Sequence, residues 1–166
     1  MNLKQFGKLL LTILICEFAG IIGSIFTIEN IPTWYAGLAK PFFAPPNWVF
    51  GPVWITLYFL MGVALYLVWE HGFSKPKAAP VKKKTKKAIF IFAIQLALNT
   101  LWSYLFFGQK NPLAGLIGVI LMWIAIAFTI RAFYKIDRRA GIVLLPYILW
   151  VSIALTLNLA VWLLNP

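Results

Sequence analysis

Acidic residues, cysteine and histidine are almost missing from this chain: among its 166 residues there are four Asp or Glu, one Cys and one His. A lone cysteine excludes a disulfide framework and a thiolate metal site, and Cys16 sits inside an apolar run where packing is its simplest role. The single histidine, His71, lies near the lysine-rich stretch, and no Ser-His-Asp pattern, metal-ligand cluster or phosphate-binding glycine loop appears, so conventional catalysis is not expected. Charged residues of both signs make up only 11% of the chain, where soluble domains carry about a quarter. What fills the space is apolar: 62% of residues are hydrophobic and 17% aromatic, with a positive mean hydropathy. The composition is that of an all-α integral membrane protein, and the length leaves no room for a separate soluble domain.

Five apolar runs, roughly 6 to 28, 48 to 69, 87 to 107, 112 to 134 and 140 to 163, are each long enough to cross the hydrocarbon as a helix. The first run begins like a signal peptide, but its hydrophobicity continues through Ile28 without a convincing cleavage site, so a retained span is expected. Basic residues crowd one set of connections: 13 flank the N-terminus, the second loop (about 70 to 87) and the fourth, against Lys40 and Lys110 on the other side. By the positive-inside rule the N-terminus is expected in the cytoplasm and the C-terminus outside, in a bacterial plasma membrane. The net charge of +11 is thereby accounted for, and no nucleic-acid partner is expected. The run KPKAAPVKKKTKK reads as an orientation signal on a solvated linker, or as a contact for anionic lipid head groups.

The first extracytoplasmic connection, about 29 to 47, contains most of the stretch WYAGLAKPFFAPPNWVF. Pro41, Pro45, Pro46 and Pro52 fix φ and remove donors, which predicts a stiff, extended cover acting as a lid. Beneath it, spacing aligns further residues. Gln95, Asn99 and Ser103 form one polar stripe on the third helix, with Trp102 beside it. Trp54 and Tyr58 are one turn apart on the second, and Tyr147, Trp150, Ala154 and Asn158 follow helical spacing on the fifth. Interhelical hydrogen bonding is the simpler account of the stripe, and packing that of the rings. Together with Lys40 they also suit a flat, largely apolar ligand with a polar or anionic edge, of the tetrapyrrole or sterol kind.

The run W-Y-x-x-L-x-K-P from Trp34 to Pro41, continued by APPNWVFGPVWITLY to Tyr58, resembles the translocator protein family, also called tryptophan-rich sensory protein or peripheral benzodiazepine receptor. The segments QLALNTLWSYLFFGQKNP and LLPYILWVSIALTLNLAVWLLN are similar to its third and fifth helices, so the resemblance covers nearly the whole chain. It implies a five-helix bundle that binds porphyrins, as ligand and not as resident cofactor, in a pocket closed by the first loop, with a stress-sensing or tetrapyrrole-handling role. Matched motif by motif, the implied ligand-binding residues are Trp34, Tyr35, Trp54, Tyr58, Asn99, Trp102, Ser103, Trp150 and Ala154. Animal members carry a C-terminal cholesterol-recognition pattern, whereas this chain has no basic residue after Arg139, so a bacterial-type tetrapyrrole binder is preferred over a sterol binder. Bacterial relatives often dimerise, and Ala93-x-x-x-Ala97 on the third helix offers a surface for a homodimer.

Two other functions compete. Glu17 lies near the middle of the first span, where an ionisable group suggests function, and a small proton-coupled exporter would use it. Gly20 and Ser24 share its face, however, so helix packing explains it equally well. The family resemblance also leaves room for light-dependent porphyrin breakdown beside Trp34, Trp54 and Trp150. His71 lies near the lysine loop, far from the expected pocket, and reads as solvated.

Overall fold

The computed structural model describes residues 2–73 and 78–166; Lys75 and Lys77 of the expected basic loop lie outside them. Among the described residues there are five helical spans long and apolar enough to cross a membrane. Helices are the economical way to do so, because in hydrocarbon every backbone N–H and C=O needs a partner within its own segment. The elements are α1 (Leu3–Thr27), α2 (Asn47–Phe73), α3 (Ala79–Ser103), α4 (Pro112–Tyr134), α5 (Arg138–Val143) and α6 (Leu145–Leu164). Contacts run from α1 to α2, α2 to α5, α5 and α6 to α4, α4 to α3, and α3 back to α1, closing a ring. Met61, Val119, Met122, Ile126 and Val151 are fully buried at its centre, while Phe18, Phe90, Phe128 and Leu149 are each at least 60% exposed on its outside. In water such a perimeter would be a liability; in lipid it is the solvated surface.

The span boundaries depart from expectation where charge or proline misled the reading. α2 runs on to Phe73 and α3 starts at Ala79, so the expected loop of about 70 to 87 is helical at both flanks and Lys82 to Lys87 form the first turns of α3. Lysine is a good helix former, and Pro80 occupies a first-turn position where its missing N–H costs nothing. The fifth run is divided at Leu144 into α5 and α6, because Pro146 in the first turn of α6 cannot donate to the preceding turn. α3 ends in a π-helical turn, Tyr104–Gly108, closed by the Gln109 N–H donating to Tyr104 O at 2.8 Å. That widening lets the adjacent Phe106 and Phe107 both be buried.

Residues 28 to 46 link α1 to α2 at the end of the bundle we call the lid end. They are not one extended cover. A 3₁₀ turn, Tyr35–Gly37, is followed by irregular chain carrying the prolines. Lys40 Nζ donates to the carbonyls of Tyr35 (2.7 Å), Ala36 (3.1 Å) and Leu38 (3.2 Å), knitting the turn together. Ala39 and Asn165 exchange two hydrogen bonds of 3.0 Å, which ties the lid to the far end of α6.

Candidate ligand-binding site

α1 comes close to α2 because Gly62 and Gly20 permit it: a Cβ on Gly62 would stand 2.5 Å from the Ile13 backbone, and one on Gly20 2.5 Å from the Tyr58 ring. Toward the lid end the helices part, and a cavity of about 370 Å³ opens between α1, α2 and α3. Its wall carries Glu17, Gly20, Gly23 and Ser24 of α1, Ile31 of the lid, Phe50, Trp54 and Tyr58 of α2, Trp102 and Ser103 of α3, and Phe107 of the π turn. The volume is in the lower part of the range of small-molecule sites, and the wall is chiefly aromatic and aliphatic.

The rings are mutually supported. Trp54 lies 5.7 Å from Tyr58 and 6.1 Å from Trp102, centroid to centroid, and Trp102 stacks on Phe106 at 5.8 Å. Behind this wall the polar residues satisfy one another. Tyr58 Oη donates to Asn99 Oδ1 (2.6 Å), Asn99 Nδ2 donates to Tyr147 Oη (2.8 Å), and Tyr147 Oη donates to Gln95 Oε1 (2.9 Å). The chain joins α2, α3 and α6. Trp102 Nε1 donates to Asn158 Oδ1 at 3.2 Å, and Asn158 Nδ2 to Pro112 O at 2.8 Å. These bonds hold the indole and phenol rings in fixed orientations.

Two donors have no such partner. Tyr35 Oη and Trp150 Nε1 are buried, and among the described residues neither makes a hydrogen bond. Phe50 lies between them, its ring 6.1 Å from Tyr35 and 5.9 Å from Trp150, and Phe50 is also part of the cavity wall. Burial pushes the Tyr35 phenol up to about 12, so it is a neutral donor at physiological pH. A buried donor left unpaired is costly, and a ligand acceptor reaching past Phe50 would satisfy either one.

Of the nine residues implied by resemblance, Trp54, Tyr58, Trp102 and Ser103 share the cavity wall. Asn99 sits behind it as the junction of the hydrogen-bond chain, so for Asn99 and Gln95 the interhelical account holds. Trp34 and Tyr35 are plugged into Phe106 and Phe107 from the lid side. Trp150 stands beyond Phe50, and Ala154 is buried on α6 away from the wall. Lys40 is folded back into the lid rather than facing the cavity. On α1, Glu17, Gly20 and Ser24 share a face that spacing leaves open between helix packing and function, and all three stand on the cavity wall. His71 is not merely solvated: its Nδ1 is 3.9 Å from Asp137 Oδ2.

Taken together, the five spans, the aromatic cavity opening beside α1 and the proline-rich loop above it define a membrane-embedded helical bundle with an aromatic-walled cavity in its lid half. The sequence profile of the TspO/MBR family matches residues 12–163, and the chain belongs to that family. It is 48% identical over 161 residues to a tryptophan-rich protein TspO of Archaeoglobus fulgidus, covering 95% of this chain and 97% of that one. It is 39% identical over 143 residues to the human translocator protein, covering 85% and 80%. A tryptophan-rich sensory protein of Cereibacter sphaeroides is 38% identical over 132 residues, covering 80% and 77%.

Proposed function

We propose that this protein is a membrane receptor that binds tetrapyrroles such as protoporphyrin IX, or similarly flat hydrophobic molecules, in the cavity between α1, α2 and α3. The supporting observation is the wall itself, in which the aromatic rings of Trp54, Tyr58 and Trp102 stand with Ser24 and Ser103. Flat apolar ligands stack on such faces while their polar edges find the hydroxyls. Movement of Phe50 would join the cavity to the unpartnered Tyr35 Oη and Trp150 Nε1 and lengthen the site. The names of the sensory and translocator relatives support a sensing or receptor role. On the same reading the lid end faces outward, in a bacterial plasma membrane. Ala93 and Ala97, exposed on the outside of α3, serve a homodimer.

The test is a dark titration of detergent-purified protein with protoporphyrin IX, following tryptophan quenching and the porphyrin absorption band. Saturable binding is expected, weakened in Trp54→Ala by about 0.5 to 1.5 kcal/mol beyond the lost area. Absence of saturable binding, or unchanged affinity in a folded Trp54→Ala, would overturn the stacking. Repeating the titration under illumination separates binding from light-dependent breakdown.

A second reading has one observation in its favour. Glu17 lines the cavity, which is where the carboxylate of a proton-coupled exporter belongs. Under the receptor reading Glu17→Gln leaves porphyrin affinity nearly unaltered. Efflux driven by a pH gradient in proteoliposomes, lost in Glu17→Gln, would favour the exporter.

A further inference from the structure

We propose that the basic end of the bundle, opposite the lid, holds a second binding site, for a phosphate group carried on a partly apolar molecule. A recess of about 710 Å³ opens there between the start of α1, the end of α2 and the start of α5. From Lys8 to Glu17 the rise along α1 is about 13 Å, so this recess is separate from the aromatic cavity. Its chemistry is different too. Lys4, Lys8 and Arg139 line it together with Glu70, Asp137 and His71, three fixed cations against two carboxylates.

Both carboxylates are turned toward groups of the chain itself. Asp137 is 7% exposed and accepts from Arg139 Nε (3.2 Å), Arg139 Nη2 (3.0 Å) and the Arg139 backbone N–H (2.9 Å). Glu70 accepts from Lys8 Nζ at 3.1 Å and from Gln5 Nε2 at 3.2 Å. The acids therefore act as orienting struts for the cations. Arg139 is held by one edge of its guanidinium while its side chain remains 76% exposed, and its Nη1 makes no hydrogen bond among the described residues. The Lys4 ammonium is likewise without a hydrogen bond among the described residues.

Donors thus reach the recess from three directions, Lys4 on α1, His71 on α2 and Arg139 on α5. Oxygens that do not share a plane suit that arrangement better than the two of a carboxylate, and an oriented guanidinium is a favourable phosphate partner. The remaining wall includes Tyr66 and Leu67, which give an attached apolar body something to rest on. A phospholipid head group and a soluble phosphorylated molecule share this chemistry.

The full-length protein in a maltoside detergent, which contains no phosphate, is titrated with short-chain phosphatidylglycerol in one arm and with pyrophosphate in the other, read by thermal midpoint and native mass spectrometry. Saturable stabilisation is expected in at least one arm. The lipid arm alone points to a membrane head group, and the pyrophosphate arm, alone or with the other, to a site that soluble phosphates also fill. K4Q/R139Q is expected to weaken the apparent affinity about tenfold or more, by loss of two charge-assisted contacts. Lys4→Gln alone, which leaves the Asp137 pair intact, is expected to weaken it about threefold. K82Q/K135Q removes the same charge from the same end outside the recess and is expected to stay within about twofold. No saturable effect in either arm, or equal weakening by both double variants, would overturn the site, the latter reducing it to diffuse surface potential.

Discussion

In the interior, Tyr58, Asn99, Tyr147 and Gln95 satisfy one another with neutral groups alone, whereas at the basic end Lys8, Glu70, Asp137 and Arg139 do so as ions. The difference follows depth. A charge placed mid-membrane is expensive, so the links there are amides and phenols; charges return only where helix ends reach water. One residue breaks this division. Glu17 sits at interior depth, on the wall of the cavity and not within a network, and it is the sole carboxylate of that wall.

The largest effect that would break the comparison is expected from Asn99→Leu. It strands the Tyr58 hydroxyl and removes the donor to Tyr147 Oη, which keeps only its bond to Gln95; a loss of about 1 to 3 kcal/mol for the buried unpaired group should lower the unfolding midpoint in detergent. An unchanged midpoint would mean that the neutral chain carries no structural load. Next comes Gly20→Ala, whose new methyl must displace the Tyr58 ring. About 1 to 2 kcal/mol of overpacking is expected, with a parallel loss of porphyrin affinity in the same titration. Affinity kept at full strength would place the ligand away from the α1 wall.

Asp137→Asn sharpens the other side with the smallest effect. The Arg139 side-chain hydrogen bond, with its backbone N–H and charge and that of His71, holds the Asp137 carboxyl below its ordinary value. A depressed carboxylate contributes stability above its unfolded pKa and loses it as pH falls through the folded one, so the wild type should weaken below about pH 4. The variant should lack that component, at a cost of about 1 kcal/mol or less at neutral pH, with porphyrin binding unchanged. Midpoints of both proteins across acid pH check it, and parallel curves would dismiss the pair as a stabiliser.

Much of this was legible in the sequence because hydrocarbon imposes so few solutions. Apolar runs become helices, and Trp54, Tyr58, Trp102 and Ser103 fall on one cavity because helical spacing and the prolines above them leave little choice. Helix ends were harder. Lys82 to Lys87 read as a loop by charge, yet lysine stems pack along a helix while their heads reach water. The face of α1 stayed open between packing and function because periodicity tells which residues share a side, not whether that side meets a helix or a gap. Gly20 and Gly62 show the distinction: both bring α1 against α2, but a cavity opens just beyond the first. Nor does any local signal announce that Phe50 would stand between Tyr35 and Trp150, since that arrangement joins the lid, α2 and α6.

The π turn at the end of α3 also bears on descent. Such a turn is an α-helix carrying one residue too many, so it is gained or lost by a single insertion or deletion and not by substitution. Phe106 and Phe107, one under the lid rings and the other on the cavity wall, owe their shared burial to it. Among relatives, the roof of the cavity should therefore change in jumps: a one-residue gap in this segment should mark lineages in which one aromatic has swung out toward lipid and the cavity has changed shape at a stroke.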